Sequence, residues 1–237
     1  MFDFTAQVVM ITGATGNLGQ AVARAFAAAN ATVVLVARSE NGIRLALPDL
    51  VASPNALIAP ADLTNLESVQ SAVDAALRAF GRIDVLANTV GGYKAGDPVH
   101  TTPMETWDFM LDLNARTAFV ISQAVIPAML EQGRGAIIHT ASRAGLGGTK
   151  NAAAYSAAKS AVIRLTESLA AELKHSGINV NCVLPGTIDT PKNRAAMPKA
   201  RHEHWVSPDA IAQVILFLAS DAARAVHGAA IPVYGLS

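Results

Sequence analysis

Tyr155 and Lys159 stand four positions apart in NAAAYSAAKSAV, residues 151–162, a stretch otherwise made almost wholly of small side chains. On a helix, positions i and i+4 lie one above the other on the same face, so a phenol and an ammonium placed there can meet. The chemistry open to such a pair is proton transfer. A free phenol titrates near 10, and each unit of lowering corresponds to about 1.36 kcal/mol. An ammonium about 4 Å away, at an effective dielectric near 20, would supply roughly 4 kcal/mol, enough to lower the phenol by about two to three units. Spacing alone is equally compatible with two amphipathic side chains on an ordinary helix.

A second cluster lies at TGATGNLG, residues 12–19, where Gly13, Gly16 and Gly19 recur every third position after an apolar run and before an amphipathic one. Glycines there let the chain turn tightly and approach a pyrophosphate. The amide groups and the positive end of the following helix would then favour its charge.

The elements that must hold these groups are legible as an alternation. QVVMIT, ATVVLVA, ALIAP, IDVLAN, GAIIHTA, INVNCVL and AAIPVYG are short β-rich runs separated by segments of helix length. This pattern predicts parallel strands joined by crossover helices in one α/β domain spanning 1–237. Helix starts are expected at Thr64 with Glu67, at Thr102 with Pro103 and Glu105, and at Ser207-Pro208. Only the stretch from roughly 190 to 206 is poor in regular pattern.

Composition narrows the partners. With 51% hydrophobic and 15% charged residues, the chain can bury a large core. Eighteen basic residues balance eighteen acidic ones, which gives no support for nucleic acid or an anionic membrane and points to a small molecule. One cysteine, Cys182, excludes an internal disulfide framework and implies a reducing compartment. No basic n-region opens the chain and no long uncharged apolar run follows, so a cytoplasmic protein is expected. The six histidines show no ligand spacing, His202 and His204 lying in a charged loop, so no metal is expected.

Taken in order, the glycine motif, DVLANTVGG at 84–92, Asn114 in LDLNA, Ser142 in IIHTAS, Tyr155 and Lys159 as YxxxK, and PGTIDT at 185–190 resemble the short-chain dehydrogenase/reductase family over nearly the whole chain. Ser142 precedes Tyr155 by thirteen residues, as is usual there. The resemblance implies a Rossmann-type doubly wound parallel sheet of about seven strands with helices on both faces. It implies an oxidoreductase moving a hydride between a nicotinamide and a carbonyl or secondary alcohol. Tyr155 would give the proton to the carbonyl oxygen, Lys159 would also hold the nicotinamide ribose, Ser142 would bond the same oxygen, and Asn114 would hold a relay water. Cofactor contacts are implied for Gly13, Thr15, Gly16, Asn17, Leu18 and Gly19. Further ones are implied for Asp62 and Leu63, Asn88, Pro185 and Gly186, and for Ile188 and Thr190 beside the carboxamide. Asp62 could equally cap a helix near Thr64, and NTVG at Asn88 departs from the family's usual NNAG. A homodimer or homotetramer is implied as well, through helices around 104–132 and 153–174.

After the second strand, Ala37 stands where NAD-dependent relatives place an acid, followed by Arg38 and Ser39. A guanidinium suits a 2′-phosphate, so NADP(H) is expected over NAD(H), with Glu40 the competing residue for NAD(H). Two other readings stay open. GGYKAG and DTPKNRAAMPKA resemble stretches of quinonoid dihydropteridine reductases, and the glycine spacing also occurs in non-catalytic NADP(H)-sensing proteins. Segment 190–206 carries Lys192, Arg194, Lys199 and Arg201 against Glu203, and is read as a lid. In it Met197 and Trp205 would cover the site while basic groups meet phosphate or an acidic substrate.

Overall fold

The computed structural model describes residues 2–237. Seven strands form one sheet: β1 Val8–Thr12, β2 Thr32–Ala37, β3 Ala56–Pro60, β4 Val85–Asn88, β5 Gly135–Thr140, β6 Ile178–Pro185 and β7 Ala230–Val233. Their order is β3-β2-β1-β4-β5-β6-β7, and every pairing is parallel. Each apolar run in the sequence became a strand. The central strands are apolar at nearly every position because both of their faces are covered.

Successive side chains of β1 show why. Val9 and Ile11 enter a core shared with Val22 and Phe26 of α1, Asn17–Ala28, and with Ile211 and Ile215 of the helix Pro208–Ala219. Val8 and Met10 point the other way, toward Val69 and Val73 of the helix Leu66–Phe80 and toward Ile121 and Val125 further along the chain. The period of two thus feeds two layers, giving a doubly wound α/β domain. On β1 and β4 the chain reverses direction across the sheet, which opens a crevice at the carboxyl ends of these strands.

The remaining helices in chain order are α2 Glu40–Ala46, α3 Pro48–Val51, α4 Leu66–Phe80, α5 Met104–Met110, α6 Thr117–Gln132, α7 Ala153–Leu173, α8 Pro191–Ala196 and α9 Pro208–Ala219. Ser207 caps α9 by accepting from Ala210 N, with Pro208 at its first turn, as its sequence predicts. The other two expected starts are corrected. Asn65, not Thr64, caps α4 by accepting from Ser68 N, because the Thr64 hydroxyl is engaged by Asp62. Thr102 turns its hydroxyl to the carbonyls of Asp97 and Pro98, and α5 begins after Pro103 with no side-chain cap. In both cases a nearer acceptor outcompetes the cap. Segment 190–206 is also more ordered than its pattern suggests, holding α8 and a short turn at His202–His204.

The stretch Met104–Gln132 is long and apolar enough to span a membrane by length and composition, and half of it is buried. Here Ile121, Val125 and Met129 pack under the sheet, so core burial accounts for its apolar character.

Candidate active site

Four strand ends supply the walls of a cleft of about 880 Å³, lined among others by Gly16, Gly91, Ser142, Tyr155, Lys159 and Ile188. Tyr155 and Lys159 occupy the first two turns of α7. Alanines dominate there because the helix lies close to its neighbours, with Ala154 and Ala158 buried against Met110. Lys159 is only 4% exposed, and its Nζ donates to the carbonyl of Thr140 at 2.8 Å. That carbonyl ends β5, so the strand fixes where the ammonium sits. Two residues on, Ser142 is extended, accepts from Ala144 N at 3.2 Å and hydrogen-bonds the Tyr155 phenol.

Asn114 enters from a different layer. Between α5 and α6 the helix widens into a π-turn at Leu111–Arg116, which carries Asn114. Its Nδ2 donates to the carbonyls of Met110 at 3.0 Å and Gly92 at 3.2 Å, and its Oδ1 accepts from Gly92 N at 3.1 Å. Gly91 passes beside it. A Cβ on Gly91 would lie 2.8 Å from Lys159 Nζ and 2.9 Å from Asn114 Oδ1, so only a residue without a side chain lets the chain run this close to both.

The electrostatics depart from the simple pair. Burial raises the Tyr155 phenol above its ordinary value, with the Ser142 hydrogen bond opposing and Tyr93 adding to the rise. The lowering expected from Lys159 is absent, and loss of water dominates at the phenol. Burial also brings Lys159 down to about 8.

At the other end of the cleft, Gly13 holds φ +69°, a left-handed conformation that disfavours side chains. A Cβ on Gly19 would come 2.1 Å from Gly13 O, so the helix can start this close to the strand only with glycine there. No side chain caps α1 at Gly16, which leaves its first amides for another acceptor. Asn17, Leu18 and Gly19 line the cleft, while Thr15 is exposed beside it with its carbonyl bonded by Gln20 Nε2.

Other expected contacts lie apart from the walled part. Arg38 is exposed at the end of β2, and Ser39 caps α2 through Gly42 N. Glu40 is paired with Arg44 at 2.7 Å. The carboxylate of Asp62 accepts from Thr64 N and Oγ1, which hold it below the usual range, with Arg38 contributing; Leu63 is buried in the core. Asn88 turns its side chain under the cleft, where Oδ1 accepts from Thr12 at 2.6 Å and Nδ2 meets His139 Nδ1 at 3.2 Å. His139 Nε2 reaches Ser122 Oγ at 3.2 Å, and Ser122 donates on to Ala118 O. This buried chain needs neutral His139 protonated on Nε2, and burial and Lys159 lower the imidazole to about 4.

Pro185, Gly186, Ile188 and Thr190 do line the cleft, and Thr190 caps α8 by accepting from Asn193 N. Arg194 is paired with Asp189, five residues before it, at 2.7 Å, and the Trp205 ring packs tilted against His202 with centroids 4.5 Å apart. Of the two apolar residues expected over the site, Met197 lines it. Sequence reasoning missed Tyr93 and Arg143 as lining residues. Their signals were available, one following the glycine pair after β4 and the other adjoining Ser142.

Comparison with known proteins gives a consistent result. The family model described as short chain dehydrogenase matches residues 7–201. The (2S)-[(R)-hydroxy(phenyl)methyl]succinyl-CoA dehydrogenase subunit BbsD of Thauera aromatica is 35% identical over 97% of this chain and 95% of its own. The 3-oxoacyl-[acyl-carrier-protein] reductase FabG of Thermotoga maritima is 33% identical over 97% and 96%. Among solved structures, levodione reductase superposes with a TM-score of 0.90 at 31% identity, covering 98% of this chain and 97% of that one.

Proposed function

Since the chain belongs to the short-chain dehydrogenase/reductase family, and so to the oxidoreductases acting on CH–OH or C=O groups with a nicotinamide cofactor, we propose that it is an NADP(H)-dependent carbonyl reductase or alcohol dehydrogenase using Tyr155 as general acid and base. The observation that carries this reading is the convergence of Ser142, Tyr155 and Lys159 on one cleft whose far end is an uncapped helix start.

The residues fit a dinucleotide. The first amides of α1 can take a pyrophosphate, and Lys159 uses one of its three donors on Thr140, which leaves others for ribose hydroxyls. Thr140 Oγ1 is also buried without a partner among the described residues. Arg38 has no ion-pair partner among the described residues, whereas Glu40 is tied to Arg44, which favours a 2′-phosphate over a bare ribose hydroxyl. When bound, the nicotinamide supplies or accepts the hydride.

The chain's own groups handle the proton. Raised by burial, the Tyr155 phenol is protonated at neutral pH and donates to the developing alkoxide, while Ser142 Oγ hydrogen-bonds the same oxygen. Lys159, with a value of about 8, keeps its charge at neutral pH and with it the donors offered to the nicotinamide ribose. Asn114 is read as the holder of a relay water through which Lys159 returns the proton. Asp62 is read as an adenine contact and segment 190–206 as a lid carrying Met197. Exposed Met104, Phe109 and Phe119 on the 104–132 stretch support a homodimer or homotetramer, which sedimentation at micromolar concentration checks. The decisive experiment is a carbonyl panel run with NADPH and NADH side by side. NADPH-supported reduction lost in Tyr155→Phe is expected, and turnover with neither cofactor would defeat the proposal.

A further inference from the structure

We infer that the substrate half of the cleft selects an aromatic carbonyl compound, with the ring of Tyr93 as its recognition surface; the inference rests on the carbonyl-reductase reading above. Tyr93 packs edge-to-face on Tyr155, with ring centroids 4.9 Å apart and planes at 84°, yet it remains 67% exposed. One part of the ring therefore touches the proton donor while the rest is open to the cleft. Two more loops bring apolar groups to the same wall. Leu146, 58% exposed, follows the turn behind Ser142, and Met197, 41% exposed, ends α8. Three large apolar side chains left open in one concavity favour a ligand that removes their surface from water.

Several polar groups of that wall are engaged by the chain itself. Asn193 Nδ2 donates to Ile188 O at 2.8 Å, Thr190 Oγ1 accepts from Asn193 N at 3.1 Å, and Arg143 Nη1 donates to Ser237 O at 2.7 Å. The Arg143 guanidinium also lies over Tyr234, 5.3 Å from its centroid. A sugar or other polyol would lose water from its hydroxyls here and gain few partners, whereas an aryl group needs none. Because Tyr93 stands at right angles to Tyr155, a ring resting on Tyr93 is held beside the phenol. The favoured substrate thus carries its carbonyl next to the ring, and aromatic pairing adds to simple apolar contact.

The test measures kcat/KM with NADPH for an aryl methyl ketone, the cyclohexyl methyl ketone of equal size, and an open-chain ketose. The aryl ketone should exceed the ketose by about 100-fold, and Tyr93→Ala should cut the aryl-to-cyclohexyl ratio by about tenfold while Tyr93→Phe keeps it. A ketose turned over as well as the aryl ketone, or a ratio unchanged in Tyr93→Ala, overturns the inference. Calorimetric binding of benzamide, which is not reduced, separates the two readings. If no carbonyl is reduced, the reductase reading fails. Weaker benzamide binding to Tyr93→Ala than to wild type and Tyr93→Phe then still supports the aromatic subsite, and equal binding in all three overturns it.

Discussion

Lys159 is 4% exposed and anchored on the last carbonyl of β5, whereas Arg38, outside the walls of the cleft, stands exposed at the end of β2. At the first end, position and charge are set by packing. Burial above all moves the ammonium down to about 8 and the phenol up, and only a glycine fits between Lys159 and Asn114. At the second, side chains settle locally. Ser39 caps its own helix, Glu40 pairs one turn along with Arg44, and Asp62 closes a turn on Thr64. A buried group responds to its whole surroundings, while an exposed one is screened by water and answers to its near neighbours. Perturbations at the buried end should therefore have the larger effects.

The largest effect is expected beneath the catalytic end. His139 titrates at about 4 when folded against an ordinary 6.5, so the unfolded chain binds the extra proton between these values. Its contribution to stability is fully present above pH 6.5 and is lost as pH falls from there to about 4. That amounts to roughly 3 kcal/mol. Denaturant melts at pH 7 and pH 4.5 should show this drop, and His139→Asn, which cannot take the charge, should flatten the profile in that window. An equal drop in the variant would move the acid sensitivity elsewhere.

Next comes Tyr155→Phe, which keeps the ring and removes the proton, and should lower kcat by on the order of 100-fold with NADPH binding retained. In the wild type, reduction should be level below pH 8 and decline above it, as Lys159 loses the charge with which it holds the cofactor's ribose. Lys159→Met should weaken turnover and cofactor binding together. Loss of binding alone would confine Lys159 to the ribose.

At the exposed end the expected changes shrink. Arg38→Ala should weaken NADPH relative to NADH by about tenfold, because solvent already screens a contact at that position. Equal weakening of both, measured as dissociation constants, would mean that the guanidinium contacts the adenine or the loop. Smallest is Ser39→Ala, which removes the cap of α2 and should cost about 1 kcal/mol in a thermal or denaturant melt. A larger change in NADPH affinity than in stability would show that Ser39 meets the cofactor directly.

Much of this was legible beforehand for local reasons. The β-rich runs marked all seven strands, and Ser207-Pro208 marked the start of α9, since periodicity and capping are written within a few residues. The misread caps at Thr64 and Thr102 failed on equally local grounds, each hydroxyl having a nearer partner in a turn. The surroundings of Asn88 and Arg194 were not legible in the same way. The one pairs with Thr12 and His139 from other strands, and the other is neutralised by Asp189, just outside the segment whose charge was counted.

By itself, then, the sequence determined the alternation of strands and helices, the glycine-lined start of α1, and the one-turn spacing that puts Tyr155 and Lys159 on a common face. These depend on the backbone's own repeat and on the absence of a Cβ. Only the tertiary structure decided that Lys159 would point at Thr140, that burial would raise the Tyr155 phenol, that Asn114 would close on Gly92 through a π-turn, and that Tyr93 would lean on Tyr155. Each of these joins residues distant in the chain, whose separation exists only once the sheet is packed and water has left.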